Sequence, residues 1–175
     1  MRAMEINANQ YLTFRLGQDE FGIEILNVRE ILEYREPTRV PRTSRFIRGV
    51  INLRGNVISV IDLAKLFQSR DIETTRHTCI LILEIPKEED KIIAGVLVDS
   101  VNEVVMIPPE CVDPVPTFGA NMKTDFIRGM GKLESRVIVL LNPAKMLDFN
   151  EIISLYGKED EEAKNPIDPH PVSVS

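Results

Sequence analysis

The sequence predicts a mainly β protein: two small five-stranded barrels packed around a shared core, with short helical pieces and a C-terminal helix. Three observations carry this expectation. Apolar and polar residues alternate in short runs, the two-residue period of half-buried strands. Gly, Pro, Asn and charged clusters punctuate the runs. A 22-residue segment also occurs twice, at an offset of 80, a period too long for a solenoid and suited to two structural units. A five-stranded antiparallel sheet leaves edges exposed unless it curls, and two partly open barrels side by side bury their apolar faces. An alternating α/β fold needs helices of about 10–15 residues between strands, and none is legible before residue 142.

Residues 1–10 read as a flexible N-terminus. Tyr11 to Leu16 alternates, with Leu12, Phe14 and Leu16 on one side. Gly17 to Glu20 has turn chemistry, and alternation resumes through Phe21, Ile23 and Ile25. The spacing of Val28, Ile31 and Leu32 fits either a short helical turn or a bent strand. Pro37 and Pro41 bracket a loop. Residues 47–53 and 57–63 form a predicted hairpin around Arg54-Gly55-Asn56, with Asp62 or a neighbour capping a brief helix. Residues 77–85 and 92–101 are further strands about a charged turn at Lys87–Asp90. Asn142-Pro143 reads as an N-cap followed by proline in the first helical position.

The repeat is FIRGVINLRGNVISVIDLAKLF (46–67) against FIRGMGKLESRVIVLLNPAKML (126–147), identical at nine positions. "VREIL" at 28–32 is likewise echoed by "VNEVV" at 101–105. A first barrel is expected mainly over 11–75 and a second mainly over 76–149, an exchange of strands between them being left open. A helix over about 143–156 and an acidic, proline-containing disordered tail over 158–175 complete the chain.

Net charge is −6, with six acids and two lysines in residues 151–175 alone. The arginines between 29 and 48 are interleaved with Glu30, Glu33 and Glu36, a mixed-sign surface that argues against nucleic acid. No run approaches the roughly 20 apolar residues of a membrane span, and no signal peptide is legible at Met1–Gln10, so a cytoplasmic protein without direct membrane insertion is expected. Cys79 and Cys111 read as plain thiols, and His77 and His170 have no companions at ligand spacing, so no metal is expected. Nucleophile elbows, phosphate loops, His-Glu-x-x-His and CxxC are absent from the sequence. The expectation is a protein that is not an enzyme and carries no cofactor.

The repeat singles out one position. Apolar sheet residues survive in both copies, but the tip Arg54-Gly55-Asn56 is replaced by Glu134-Ser135-Arg136. Chain reversal therefore does not demand arginine, and Arg54 reads as a contact residue, with Glu30 either a solvated acid or the group that holds it.

The blocks "YLTFRLGQDEFGIEILNVREIL", "TRVP", "FIRGVINLRGNVISVIDL" and "GVLVDSVNEV", in this order, resemble the bacterial chemotaxis coupling proteins of the CheW family over about residues 9–156. The resemblance implies SH3-like barrels and a non-enzymatic adaptor. Such an adaptor joins the cytoplasmic tip of methyl-accepting chemoreceptors to the regulatory domain of the histidine kinase CheA in mixed ring or array assemblies. That places it in the cytoplasm, peripheral to the inner membrane through receptor complexes. It implies a receptor-binding role for Arg54, within Asn52-Leu53-Arg54-Gly55, and for Glu30 and Val28. Gly49, before the hairpin, and Val104, on the second barrel, complete that set. The kinase contact is expected on a separate apolar edge or loop of the first barrel.

Overall fold

The structure, a computed structural model, describes residues 9–115 and 125–146. Strands β1 (Gln10–Leu16) and β2 (Asp19–Glu24) form a hairpin, and a 3-10 turn at Ile25–Asn27 leads into β3 (Val28–Glu33). The β4 (Ile47–Leu53) and β5 (Asn56–Asp62) hairpin runs into helix α1 (Leu63–Gln68). Then come β6 (Cys79–Lys87), β7 (Asp90–Val98) and β8 (Ser100–Met106), a 3-10 turn at Pro109–Cys111, and the two-residue β9 (Val112–Asp113). Strands β10 (Ile127–Leu133) and β11 (Arg136–Leu141) make the last hairpin, followed by α2 (Pro143–Met146). The continuation of the terminal helix toward 156 and the acidic tail lie outside the described residues, as do residues 1–8.

The strands form two mixed sheets, one of six in the order β8-β1-β2-β11-β10-β9 and one of five in the order β3-β6-β7-β5-β4. The sixth strand is β9, which lies on β10 through Met130–Asp113 and Gly131–Val112. Its counterpart in the other sheet is the single bridge between Thr38 and Val50. With β3 matched to β8 and β4–β5 to β10–β11 by the repeat, the two sheets have the same strand order. Each is completed by one parallel contact, β2 on β11 and β5 on β7.

That correspondence shows an exchange. The leading hairpin of the first half, β1–β2, lies in the sheet made by β8–β11, and the leading hairpin of the second half, β6–β7, lies among β3, β4 and β5. Contacts between the halves are therefore backbone ladders as well as side-chain packing. One large cluster joins Leu12, Phe14 and Leu16 of β1 to Ile80, Leu81, Ile82 and Leu83 of β6 and Val96, Leu97 and Val98 of β7. An aromatic stack runs through it, Phe14 to Phe21 at 5.8 Å, Phe21 to Phe67 at 5.6 Å and Phe67 to Phe126 at 5.1 Å between ring centroids. It ties β1, β2, α1 and the start of the last hairpin into one core. A smaller cluster of Tyr11, Ile107, Ile138 and Leu140 fills the six-stranded side.

Local chemistry explains the element ends. Asp62 caps α1 by accepting a hydrogen bond from Lys65 N at 3.0 Å, and Asn142 accepts one from Ala144 N at 3.1 Å. At the foot of each long hairpin the same backbone bond recurs at 2.8 Å, from Asp62 N to Phe46 O and from Asn142 N to Phe126 O. The strand expected over 92–101 breaks at Asp99, whose Oδ2 accepts from Gly17 N at 2.6 Å and Arg70 Nη2 at 2.7 Å, and β8 starts beyond it. Gly49, buried and at φ 151, lies under the Thr38 carbonyl, so a side chain there would collide with backbone.

Two outcomes test this architecture. Fragments 1–75 and 76–175, expressed separately, should each lack native circular dichroism, because each retains only marginally stable hairpins, and should recover it on mixing. Gly49→Ala should lower the urea midpoint by an amount equivalent to about 1–3 kcal/mol, the usual cost of overpacking. Gly55→Ala should cost less, since its added methyl would meet nothing within 4 Å.

Candidate functional site: the arginine tip of the β4–β5 hairpin

The turn that the sequence places at Arg54-Gly55-Asn56 has two residues, not three. Leu53 pairs with Asn56, and only Arg54 (φ 52) and Gly55 (φ 89) lie between the strands. Positive φ at both central positions is the type I′ signature, whose twist matches that of the flanking strands. Asparagine is favoured at the first of these positions, and a larger L-residue there costs roughly 1–2 kcal/mol. Asn52 braces the tip instead, its Oδ1 accepting from Gly55 N at 2.8 Å.

The Arg54 guanidinium meets Glu30 on β3 as a fork, Nη1 donating to Oε1 at 2.9 Å and Nη2 to Oε2 at 2.6 Å. Bidentate geometry fixes the plane of the head group as well as its place. The Arg54 side chain stays 67% exposed and that of Glu30 24%. The hydrogen bond from Arg54 holds the Glu30 carboxyl below the ordinary value of 4.5; burial opposes this, and the charges of Arg54, Arg29 and Arg35 add to it. The same hydrogen bond raises Arg54. Arg35 Nη1 donates to Asn52 O at 3.4 Å. Because β3 and β4 stand at opposite ends of the five-stranded order, both contacts bridge its two edges.

The seven residues implied at this site are therefore not all gathered there. Arg54, Glu30, Asn52 and Gly55 meet at the tip. Val28 shares β3 with Glu30 but turns toward the core, opposite Leu83. Gly49 serves the close approach of Thr38. Val104 lies on the other sheet, on β8 opposite Leu12, and is 48% exposed.

The second copy contains a matching clamp that sequence reasoning missed. Glu103, the counterpart of Glu30, accepts from Arg136 Nη2 at 2.7 Å. Arg136 stands two residues past the Arg54 equivalent, which is Glu134. Its Nε also lies 3.6 Å from Oε1 of the buried Glu20, whose other oxygen accepts from Asn102 Nδ2 at 3.0 Å. The signal was present in the echo of "VREIL" by "VNEVV", which aligns the two acids. One clamp holds its arginine between two acids beside the strand; the other presents it at the apex.

Among the described residues, no group of three or more His, Cys, Asp or Glu is placed to hold a metal, and no helix is long and apolar enough to cross a membrane. Burial, with Glu33 nearby, pushes the Cys79 thiol up, away from the thiolate.

Comparison with known proteins gives consistent findings. The family model described as CheW-like domain matches residues 10–151. The chain is 33% identical over 150 residues to the chemotaxis protein CheW of Klebsiella aerogenes, covering 86% of this chain and 88% of that one. It is 34% identical over 139 residues to the chemotaxis protein CheW of Helicobacter pylori, covering 79% and 81%. The crystal structure of the scaffolding protein TtCheW from Thermoanaerobacter tengcongensis superposes with a TM-score of 0.67 at 32% identity, covering 76% of this chain and 88% of that one.

The clamp has a pH signature. A depressed folded-state pKa means that the Glu30 contribution is present above the ordinary glutamate value and is lost as pH falls through the folded one. Carbon-detected NMR titration should place the Glu30 midpoint below 4.5, and Arg54→Asn should move it back toward that value.

Proposed function

The chain belongs to the CheW-like family, and from that membership we propose that it is a non-enzymatic adaptor coupling the cytoplasmic tip of methyl-accepting chemoreceptors to the histidine kinase CheA. The observation that carries the receptor-facing part is the Arg54–Glu30 fork. A planar cation is presented at an exposed apex, held by an acid from a different strand, and this arrangement is absent from the structurally equivalent hairpin, where Glu134 occupies the apex. A preorganised arginine loses little freedom when a partner binds, and truncating such anchors is often costly at interfaces.

In this reading the two sheets curl into SH3-like barrels, and the receptor tip lays an amphipathic helix against them. Arg54 contacts the receptor directly. Glu30 orients Arg54, and Asn52 and Gly55 shape the turn that carries it. Val28 sets the base of β3, Gly49 keeps the hairpin seated on the Thr38 segment, and Val104 supplies an apolar wall from the second sheet. An adaptor must hold both partners at once, so the CheA regulatory domain uses another face. The exposed Leu26 and Ile31, beside and on the edge strand β3, offer the apolar surface that such a contact needs. Mixed rings or arrays then bring the protein to the inner membrane from the cytoplasmic side through its receptors.

Reconstitution tests this. Full-length protein, receptor cytoplasmic fragment and CheA should form a ternary complex in which receptor activates or restrains the kinase only when the adaptor is present. Arg54→Asn keeps a residue suited to the type I′ position and removes the guanidinium. It should leave the urea midpoint unchanged or raised while weakening receptor binding at least about five-fold. Unchanged receptor affinity in a folded R54N chain would remove Arg54 from the interface.

A further inference from the structure

The two long hairpins present the same apolar residue beside their apices. Val57 is the second residue of β5 and Val137 the second of β11, and both are exposed. Val28 and Val101, equivalents at the start of β3 and β8, both pack against the large central cluster, so the two clamps flank one core. What differs between the copies is the charge at the apex, Arg54 against Glu134.

Glu134 is held there against its backbone preference. Leu133 pairs with Arg136, so the second turn also has two residues, Glu134 and Ser135. Glu134 has φ 58, a left-handed conformation that glycine and asparagine adopt far more readily than glutamate. The residue is exposed, and its carboxylate has no hydrogen bond or ion pair among the described residues. Arg136, two positions on, is committed to Glu103 at 2.7 Å and lies beside Glu20. The Glu103 hydrogen bond raises Arg136 against the effect of burial, and the charges of Glu20, Glu103 and Glu134 add to it. Glu134 thus belongs to the same electrostatic cluster but stands outside its bonds. An acid kept in a strained turn without an internal partner is available to an external cation.

Its place suggests which one. In the receptor-docking reading above, Val104 supplies an apolar wall, and the Arg136–Glu103 bond ties the neighbouring residue of β8 to the hairpin that carries Glu134. A helix of about 20 residues is roughly 30 Å long, enough to reach from one hairpin to the other across a domain whose radius of gyration is about 14 Å. Resting on that reading, we propose that Glu134 is a second receptor-contact residue that takes a Lys or Arg side chain of the receptor helix. Arg54 and Glu134 together then read a helix carrying an acid toward one end of its docked stretch and a base toward the other. Matched valines cannot tell one direction of the helix from the reverse, whereas opposite apex charges do.

Glu134→Asn keeps a residue suited to positive φ and removes the charge, so the chain should fold with an unchanged or raised urea midpoint. At about 50 mM salt its affinity for the receptor cytoplasmic fragment should fall about two- to five-fold, the span of an exposed ion pair. The difference should vanish near 1 M, where the screening length is about 3 Å. Glu134→Lys should weaken binding further. One receptor fragment, among a set carrying single Lys→Glu or Arg→Glu substitutions along the tip, should restore it. CheA binding should be the same in all three chains. Unchanged receptor affinity in folded E134N, while R54N binds more weakly, overturns the proposal and leaves the Arg54 site standing. Unchanged affinity in both variants removes the docking reading and the proposal with it. Weakened CheA binding with receptor affinity intact also overturns the proposal, by moving Glu134 to the kinase face.

Discussion

Neither half of this chain supplies all the strands of a sheet. The hairpin β1–β2 finds its parallel neighbour in β11, at the far end of the described residues, and β5 finds its own in β7. Everything else follows from that mutual dependence. Apolar faces from both halves enter one cluster, the phenylalanine stack crosses between the sheets, and the sheets cannot drift apart without breaking backbone ladders. A protein that transmits a change of state through its surfaces gains from a frame in which those surfaces are joined by hydrogen-bonded strands rather than by side-chain contact alone.

On that frame the repeat separates scaffold from reader. Phe46 and Phe126, Gly49 and Gly129, and the capping residues Asp62 and Asn142 do the same work in each copy: core, close approach, helix start. The acid–arginine clamps differ. Moving the arginine by two residues turns an exposed apex with a single carboxylate partner into a recessed ion cluster anchored on the buried Glu20. One surface is left with a presented cation and the other with a presented acid, Glu134, so the two ends of the molecule are not interchangeable to a partner.

Much of this was legible in the residues. Alternation located nearly every strand, because a half-buried face enforces a period of two. The Asn142-Pro143 start and the Asp62 cap follow from which backbone donors a helix leaves unpaired. Strand neighbours were not legible: alternation says which side chains share a face and says nothing of which strand lies alongside, so the parallel contacts and the hairpin exchange are features of the three-dimensional fold alone. The bend at Asp99 was missed since its cause, hydrogen bonds from Gly17 and Arg70, is remote in sequence. The tip was found by comparing copies, yet its two-residue turn and the fork to Glu30, 24 positions away, are three-dimensional facts. β9 is too short to carry any period.

The swapped hairpins also bear on how the protein is made. Strand β2 ends at Glu24, and its parallel neighbour begins at Arg136. At roughly 5–20 residues per second, a ribosome needs on the order of ten seconds to deliver the one after the other. For that interval the edge of β2 that pairs with Val139 and Leu140 in the finished sheet has no strand beside it, an unpaired ladder held open until synthesis is nearly done.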